Sequence, residues 1–165
     1  MTVLAEDRRA PPDLMLALYE PDIAQNAGTM LRTCACLGVA AALVGPAGFA
    51  AGDRHLRRAG MDYLEQISLR RHAAFEDFET WRRAQGARRR LVLLTTKVDA
   101  SYLDARYRPG DILMVGRESA GVPEHVAECA DLCVTIPMRA GLRSLNVAVA
   151  AAMVLGEALR QLREG

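Results

Sequence analysis

Ile136-Pro137-Met138-Arg139-Ala140-Gly141-Leu142-Arg143-Ser144-Leu145-Asn146 is the stretch on which the fold turns. The apolar run Leu132–Ile136 reads as a strand and stops at a proline, which has no N–H to donate to a sheet. A loop with one glycine and two arginines follows. Ser144 then stands where a helix cap is expected, with a hydroxyl that accepts from free N–H groups of the first turn. From Ser144 to Leu162 the spacing predicts a long helix. Its opening turns, Val147-Ala148-Val149-Ala150-Ala151-Ala152-Met153, carry no charge. A helix apolar all round is buried on every side. In a chain of 165 residues that means packing against a sheet and against a second subunit.

The same strand–loop–helix unit recurs upstream. Leu14–Tyr19, Val39–Val44, Gln66–Leu69, Leu91–Thr95 and Asp111–Val115 read as strands. Ala24–Leu37, Arg54–Ala59, Ala73–Gln85 and Pro123–Cys129 read as helices, the last with proline in its first turn. This alternation predicts an α/β fold: a mainly parallel sheet with helices on both faces. Residues 1–12, charged and then Pro11-Pro12, are expected to be a flexible leader. Residues 13–165 form one domain, with no repeat or linker to divide them.

Composition narrows the function. Hydrophobic residues make up 51% of the chain, enough for a real core, and the net charge is only +1. That is not the basic balance of a protein that coats nucleic acid. Lys97 is the only lysine, and the other twenty cations are arginines, whose planar fork pairs with phosphate. The polar N-terminus has no secretory apolar run, and no uncharged stretch reaches membrane-spanning length. A cytoplasmic protein with reduced thiols is expected. Cys34, Cys36, Cys129 and Cys133 lack the spacing of a zinc or redox motif and read as buried small hydrophobes.

In open parallel sheets ligands bind beyond the carboxyl ends of strands. Three loops there stand out. Glu20 to Arg32 joins a strand to a helix, with Asn26 and Gly28 in the first turn and Arg32 four residues past the glycine. Gly116-Arg117-Glu118-Ser119-Ala120-Gly121-Val122-Pro123 sets a carboxylate between two glycines directly after a strand. The third is the opening stretch, Ile136–Asn146. Each alone fits an ordinary turn, and none is a dinucleotide fingerprint or a phosphate-binding P-loop.

Together the three loops resemble the SPOUT superfamily of RNA methyltransferases, in the branch that methylates ribose 2′-hydroxyls. Its signatures are N-x-G-x-x-x-R, then G-x-E-x-x-G-(V/L)-P, then I-P-M leading to S-(L/M)-N, and here they stand in order. Leu18-Tyr19-Glu20-Pro21, Gly48-Phe49, Leu56–Tyr63 and Leu94-Thr95-Thr96-Lys97 resemble the small members that act on the wobble nucleotide of tRNA, position 34 of the anticodon loop. Arg117 departs from the pattern, since proline or serine is common there, and adds a cation beside the cofactor loop.

The resemblance implies a C-terminal trefoil knot, a homodimer built on the knotted region, and S-adenosylmethionine as cofactor. It implies no metal, since the sulfonium is already activated. It places Leu94, Thr95, Gly116, Glu118, Gly121, Ile136, Met138, Ser144 and Leu145 at the cofactor. It assigns Arg32 to the ribose hydroxyl, with Asn26, Glu118, Ser144 and Asn146 shaping the catalytic site. Arg54, Arg57, Arg58, Arg139 and Arg143 are then the expected phosphate contacts for an anticodon stem–loop, with Tyr63 and Phe49 as modest stacking candidates. None of the three histidines is assigned to catalysis. The competing readings are a methyltransferase for another tRNA or ribosomal RNA site, a non-catalytic dimeric RNA-binding module, and an unrelated nucleotide-binding α/β domain.

Overall fold

The computed structural model describes residues 11–164, so the first ten residues of the expected leader lie outside it. Strand β1 (Met15–Tyr19) is buried along its whole length, and its alternation shows why. Leu14, Leu16 and Leu18 face one hydrophobic cluster, while Met15, Ala17 and Tyr19 face another. A strand buried on both faces reads as a continuous apolar run because both sides of its pleat are covered.

The elements run β1, α1 (Ala24–Leu37), β2 (Ala40–Val44), α2 (Arg54–Gly60), β3 (Leu69–His72), α3 (Phe75–Ala84), β4 (Leu91–Leu94), β5 (Ile112–Val115), α4 (Glu124–Ala127), β6 (Leu132–Val134) and α5 (Val147–Glu164), with 3-10 turns at Met61–Glu65 and Gly86–Arg88. All six strands are parallel, in the order β3-β2-β1-β5-β4-β6. Residues of α1, α2 and α5 fill one cluster, and Phe75 and Phe78 of α3 and Val126 of α4 fill the other. The expected α/β sheet with helices on both faces is therefore present.

The order carries a functional consequence. The strands β1, β5, β4 and β6 are consecutive neighbours, so their carboxyl ends open onto one edge of the sheet. The long connection from β4 to β5 pairs with the segment that leads out of β6. Thr135 N donates to Ala100 O at 2.8 Å, and Tyr102 N donates to Thr135 O at 2.8 Å. Further along, Tyr107 N donates to Gln161 Oε1 of α5 at 2.9 Å, and Gln161 Nε2 donates to Ala105 O at 3.0 Å.

Three expectations need correction. The third strand is Leu69–His72, not Gln66–Leu69, because the 3-10 turn Met61–Glu65 occupies the chain after Gly60. As an edge strand pairing only with β2, it carries exposed Arg70 and Arg71 and lacks the apolar run of a central strand. The last helix begins at Val147, and its cap is Asn146 rather than Ser144. Asn146 Oδ1 accepts from Ala148 N at 2.8 Å and Val149 N at 3.2 Å, and its carbonyl accepts from Ala150 N at 2.9 Å. Within the single chain that helix leaves Val149 51% and Met153 37% exposed. Of the cysteines only Cys34 is buried, with its thiol pushed up to about 12 by desolvation, while Cys36 is exposed. No described helix is long and apolar enough to cross a membrane.

Candidate active site

The loops that follow β1, β4, β5 and β6 enclose a cleft of about 870 Å³. Its walls are apolar where the strands end, at Leu93, Leu94, Val115 and Ile136, and where α5 begins, at Val147 and Ala150. Its rim is polar. This combination of an apolar body and a few convergent polar groups is what a nucleotide-sized ligand requires.

The loop after β5 is a tight hairpin. Arg117 N donates to Gly121 O at 3.0 Å and Gly121 N to Arg117 O at 2.8 Å. Gly121 takes φ +62°, and a Cβ on Gly116 would lie 2.6 Å from the carbonyl carbon of Gly121. Both glycines are thus required by the hairpin itself, one for its turn and one for its closure. The glycine of the first loop serves helix packing. A Cβ on Gly28 would lie 2.6 Å from Leu56 O and 2.7 Å from the Ala59 Cβ, so Gly28 lets α1 pack against α2.

A chain of polar contacts ties the loops together. Glu118 Oε2 accepts from Asp22 N at 3.1 Å, and Asp22 Oδ1 accepts from Glu118 N at 3.2 Å. Ser119 Oγ donates to Asp22 Oδ2. Asn26 Nδ2 donates to Glu118 Oε1 at 3.4 Å, and Asn146 Nδ2 donates to Asn26 Oδ1 at 3.1 Å. Desolvation and then the adjacent Asp22 hold the Glu118 carboxyl above its ordinary range. Hydrogen bonding with Glu118 holds Asp22 below its own. Of the two acids, Glu118 is the one that keeps a proton longer as pH rises.

Arg117 lines the cleft and reaches Glu20 Oε2 at 3.4 Å. It is a cation beside the hairpin, as its position suggested, but a paired one.

Most of the residues singled out in the sequence meet here. Asn26, Leu94, Thr95, Gly116, Glu118, Gly121, Ile136, Met138, Arg143, Ser144, Leu145 and Asn146 all line the cleft. Five do not. Arg32 is exposed on α1 with its guanidinium 5.3 Å from the centre of the Tyr63 ring. Arg54, Arg57 and Arg58 are exposed on α2, where Asp53 caps the helix through His55 N at 2.7 Å. Arg139 is exposed on the loop after β6, outside the lining. Sequence reasoning passed over Asp22, whose place just before α1 suggests a helix cap. The cap position is Ile23, and the Asp22 side chain turns instead to the hairpin. Among the described residues no group of three His, Cys, Asp or Glu side chains is arranged to hold a metal ion.

Known proteins resemble this chain in sequence and in fold. Residues 13–156 match the SpoU rRNA Methylase family. The chain is 65% identical over 148 residues to a tRNA (cytidine(34)-2'-O)-methyltransferase of Beijerinckia indica, covering 90% of this chain and 91% of that one. It is 38% identical over 151 residues to the Escherichia coli K12 protein of the same name, covering 90% and 94%. A solved structure described as giving insights into the 2-OH methylation of C/U34 on tRNA superposes with a TM-score of 0.88 at 40% identity, covering 94% of this chain and all of that one. An AdoMet-bound rRNA methyltransferase from Sinorhizobium meliloti superposes with a TM-score of 0.82 at 31% identity, and this chain spans 56% of its length.

Proposed function

Because the chain belongs to the SpoU rRNA Methylase family, we propose that it transfers a methyl group from S-adenosylmethionine to the ribose 2′-hydroxyl of the wobble nucleotide of tRNA. The observation that carries this reading is the single cleft built by the three motif loops and cross-linked by Asn146, Asn26 and Glu118. The cleft fits the cofactor. Its apolar walls at Leu94, Ile136 and Ala150 suit the faces of an adenine, and the hairpin 116–121 offers backbone groups at the rim. Bound there, S-adenosylmethionine supplies a methyl group already activated by its sulfonium.

The chain's own residues then align donor and acceptor, which is the main requirement of an in-line displacement. Arg32 stabilises the alkoxide that develops on the ribose. A guanidinium hardly deprotonates in a protein, so it acts as a charge and not as the base. Arg143 at the cleft, and Arg54, Arg57, Arg58 and Arg139 beyond it, hold backbone phosphates of the anticodon stem–loop.

The pairing of the β4–β5 connection with Thr135, and its further bonds to α5, support a trefoil knot. The exposed Val149 and Met153 on α5 support a homodimer through that helix, in which one protomer's RNA-binding arginines serve the other's cleft. The protein works in the cytoplasm, where tRNA is its substrate. Calorimetry with S-adenosylmethionine, paired with methyl transfer to bulk tRNA, tests the reading. Saturable binding with transfer is the expected result, and binding of a nicotinamide cofactor instead overturns it. Light scattering of diluted protein should give twice the chain mass.

A further inference from the structure

Five charged residues line the cleft: Lys97, Arg117, Glu118, Glu124 and Arg143. Two of them have partners. Arg117 reaches Glu20, and Glu118 is held by Asp22 and Asn26. Among the described residues the side chains of Lys97 and Arg143 have no hydrogen-bond or ion-pair partner, and both are exposed. The cleft therefore presents two free cations against the one remaining carboxylate of Glu124.

Their placement on the fold matters more than their number. Lys97 lies on the loop after β4 and Arg143 on the loop after β6, and β4 and β6 are hydrogen-bonded neighbours. Adjacent strands are about 4.8 Å apart, and from the loops after these two strands Lys97 and Arg143 line the same cleft. The turn that carries Lys97 is itself fixed, because Lys97 N donates to Thr95 Oγ1 at 3.2 Å. The backbone is anchored while the ammonium is left in solvent at the mouth of the cleft.

We propose that Lys97 and Arg143 form a two-sided grip on a phosphodiester of the substrate RNA at the mouth of this cleft, with Lys97 a positioning residue for the acceptor ribose. The inference rests on the methyltransferase reading given above. The charge balance favours RNA over the cofactor as the anion. A sulfonium and an ammonium against one carboxylate leave S-adenosylmethionine a net cation, which two surplus cations do not attract. The phosphates of an incoming loop do need them, and phosphate contacts fix the register of a nucleic acid. A lysine is a compact point charge that meets a phosphate oxygen without the planar geometry an arginine demands.

The sequence supplies a clean probe. Lys97 carries the only side-chain amine in the chain. Acetylation of the full-length protein with an N-hydroxysuccinimide ester, read by mass spectrometry, reports its accessibility directly. Unmodified tRNA should slow Lys97 acetylation at least about fivefold, and S-adenosylmethionine alone should not. Lys97→Ala should raise KM for tRNA about five- to tenfold and leave cofactor affinity within about twofold, as expected for loss of one phosphate contact. Its dependence of log KM on log salt should be shallower by about 0.7, the value of one contact on a single strand. Lys97→Arg should recover most of the loss. The proposal is overturned if tRNA gives no protection in an enzyme that binds cofactor and methylates tRNA. Protection by the cofactor alone, with weakened cofactor binding in Lys97→Ala, overturns it too and assigns Lys97 to the cofactor carboxylate. A wild-type protein that neither binds the cofactor nor methylates tRNA defeats the parent reading first.

Discussion

Asn146 Nδ2 donates to Asn26 Oδ1 at 3.1 Å, across 120 residues of chain. The same Asn146 accepts through Oδ1 from Ala148 N and Val149 N, so one side chain both starts α5 and anchors the first turn of α1. Because Asn26 also donates to Glu118 at 3.4 Å, the start of the last helix is linked to the hairpin after β5.

Asn146→Ala should destabilise the protein by about 1–2 kcal/mol through loss of the cap, and should reduce methyl transfer further than that loss of stability explains. Asn146→Asp keeps a cap acceptor but no longer donates to Asn26. It should recover stability in urea denaturation and leave activity low. Equal recovery of both would remove the link to Asn26 from the account.

Gly116→Ala puts a methyl group 2.6 Å from the Gly121 carbonyl carbon. The hairpin must open to accept it, and cofactor affinity by calorimetry should fall at least about tenfold, since misplacement near 1 Å is enough to disrupt a positioned site. Gly28→Ala strains the contact between α1 and α2 instead, and should cost about 1–3 kcal/mol of stability. Normal cofactor binding by Gly116→Ala would mean the hairpin is not part of the site.

The acids of the site give a pH signature. The Glu118 carboxyl is held above its ordinary range, so its contribution to stability is full below that range and is lost as pH rises through the raised value. Asp22 is held low, so its contribution is lost only on acidification, below the ordinary range. Glu118→Gln cannot ionise. From about pH 4.3 upward, wild-type stability should therefore fall relative to Glu118→Gln in denaturation curves recorded at successive pH values. Parallel curves would show that Glu118 ionises as an ordinary surface acid.

Arg32→Ala should lower kcat by about 10²–10³-fold, the loss typical of one group that stabilises developing charge. Cofactor affinity should be kept, because Arg32 is outside the cleft lining and stacked near Tyr63. A fully active variant removes Arg32 from the chemistry.

The motif loops were legible because glycine and proline punctuate them and strict backbone needs stand behind those residues. Gly116 and Gly121 close a hairpin, and Pro137 follows the run that forms β6. Central strands such as β1 and β5 were legible as apolar runs, since both their faces are buried. The edge strand β3 was misplaced because its residues are half solvent-exposed, with two arginines, and a 3-10 turn consumes the preceding chain. Strand order was not legible at all. The placement of β5 between β1 and β4 depends on long-range pairing that no local pattern encodes. Asp22 was missed for a similar reason. Its partners, Glu118 and Ser119, lie 96 and 97 residues away, while its local context imitates a helix cap. Ser144 looked like a cap because it is the first capping residue of the stretch, yet the chain continues without helix until Asn146.

The decisive measurement is ribose-methylation mapping of tRNA incubated with purified protein and S-adenosylmethionine. The account predicts a new 2′-O-methyl mark at the wobble nucleotide of a subset of tRNAs, absent when Arg32→Ala replaces the wild type. A mark on a base, a mark outside the anticodon loop, or no mark from a protein that binds the cofactor would contradict it.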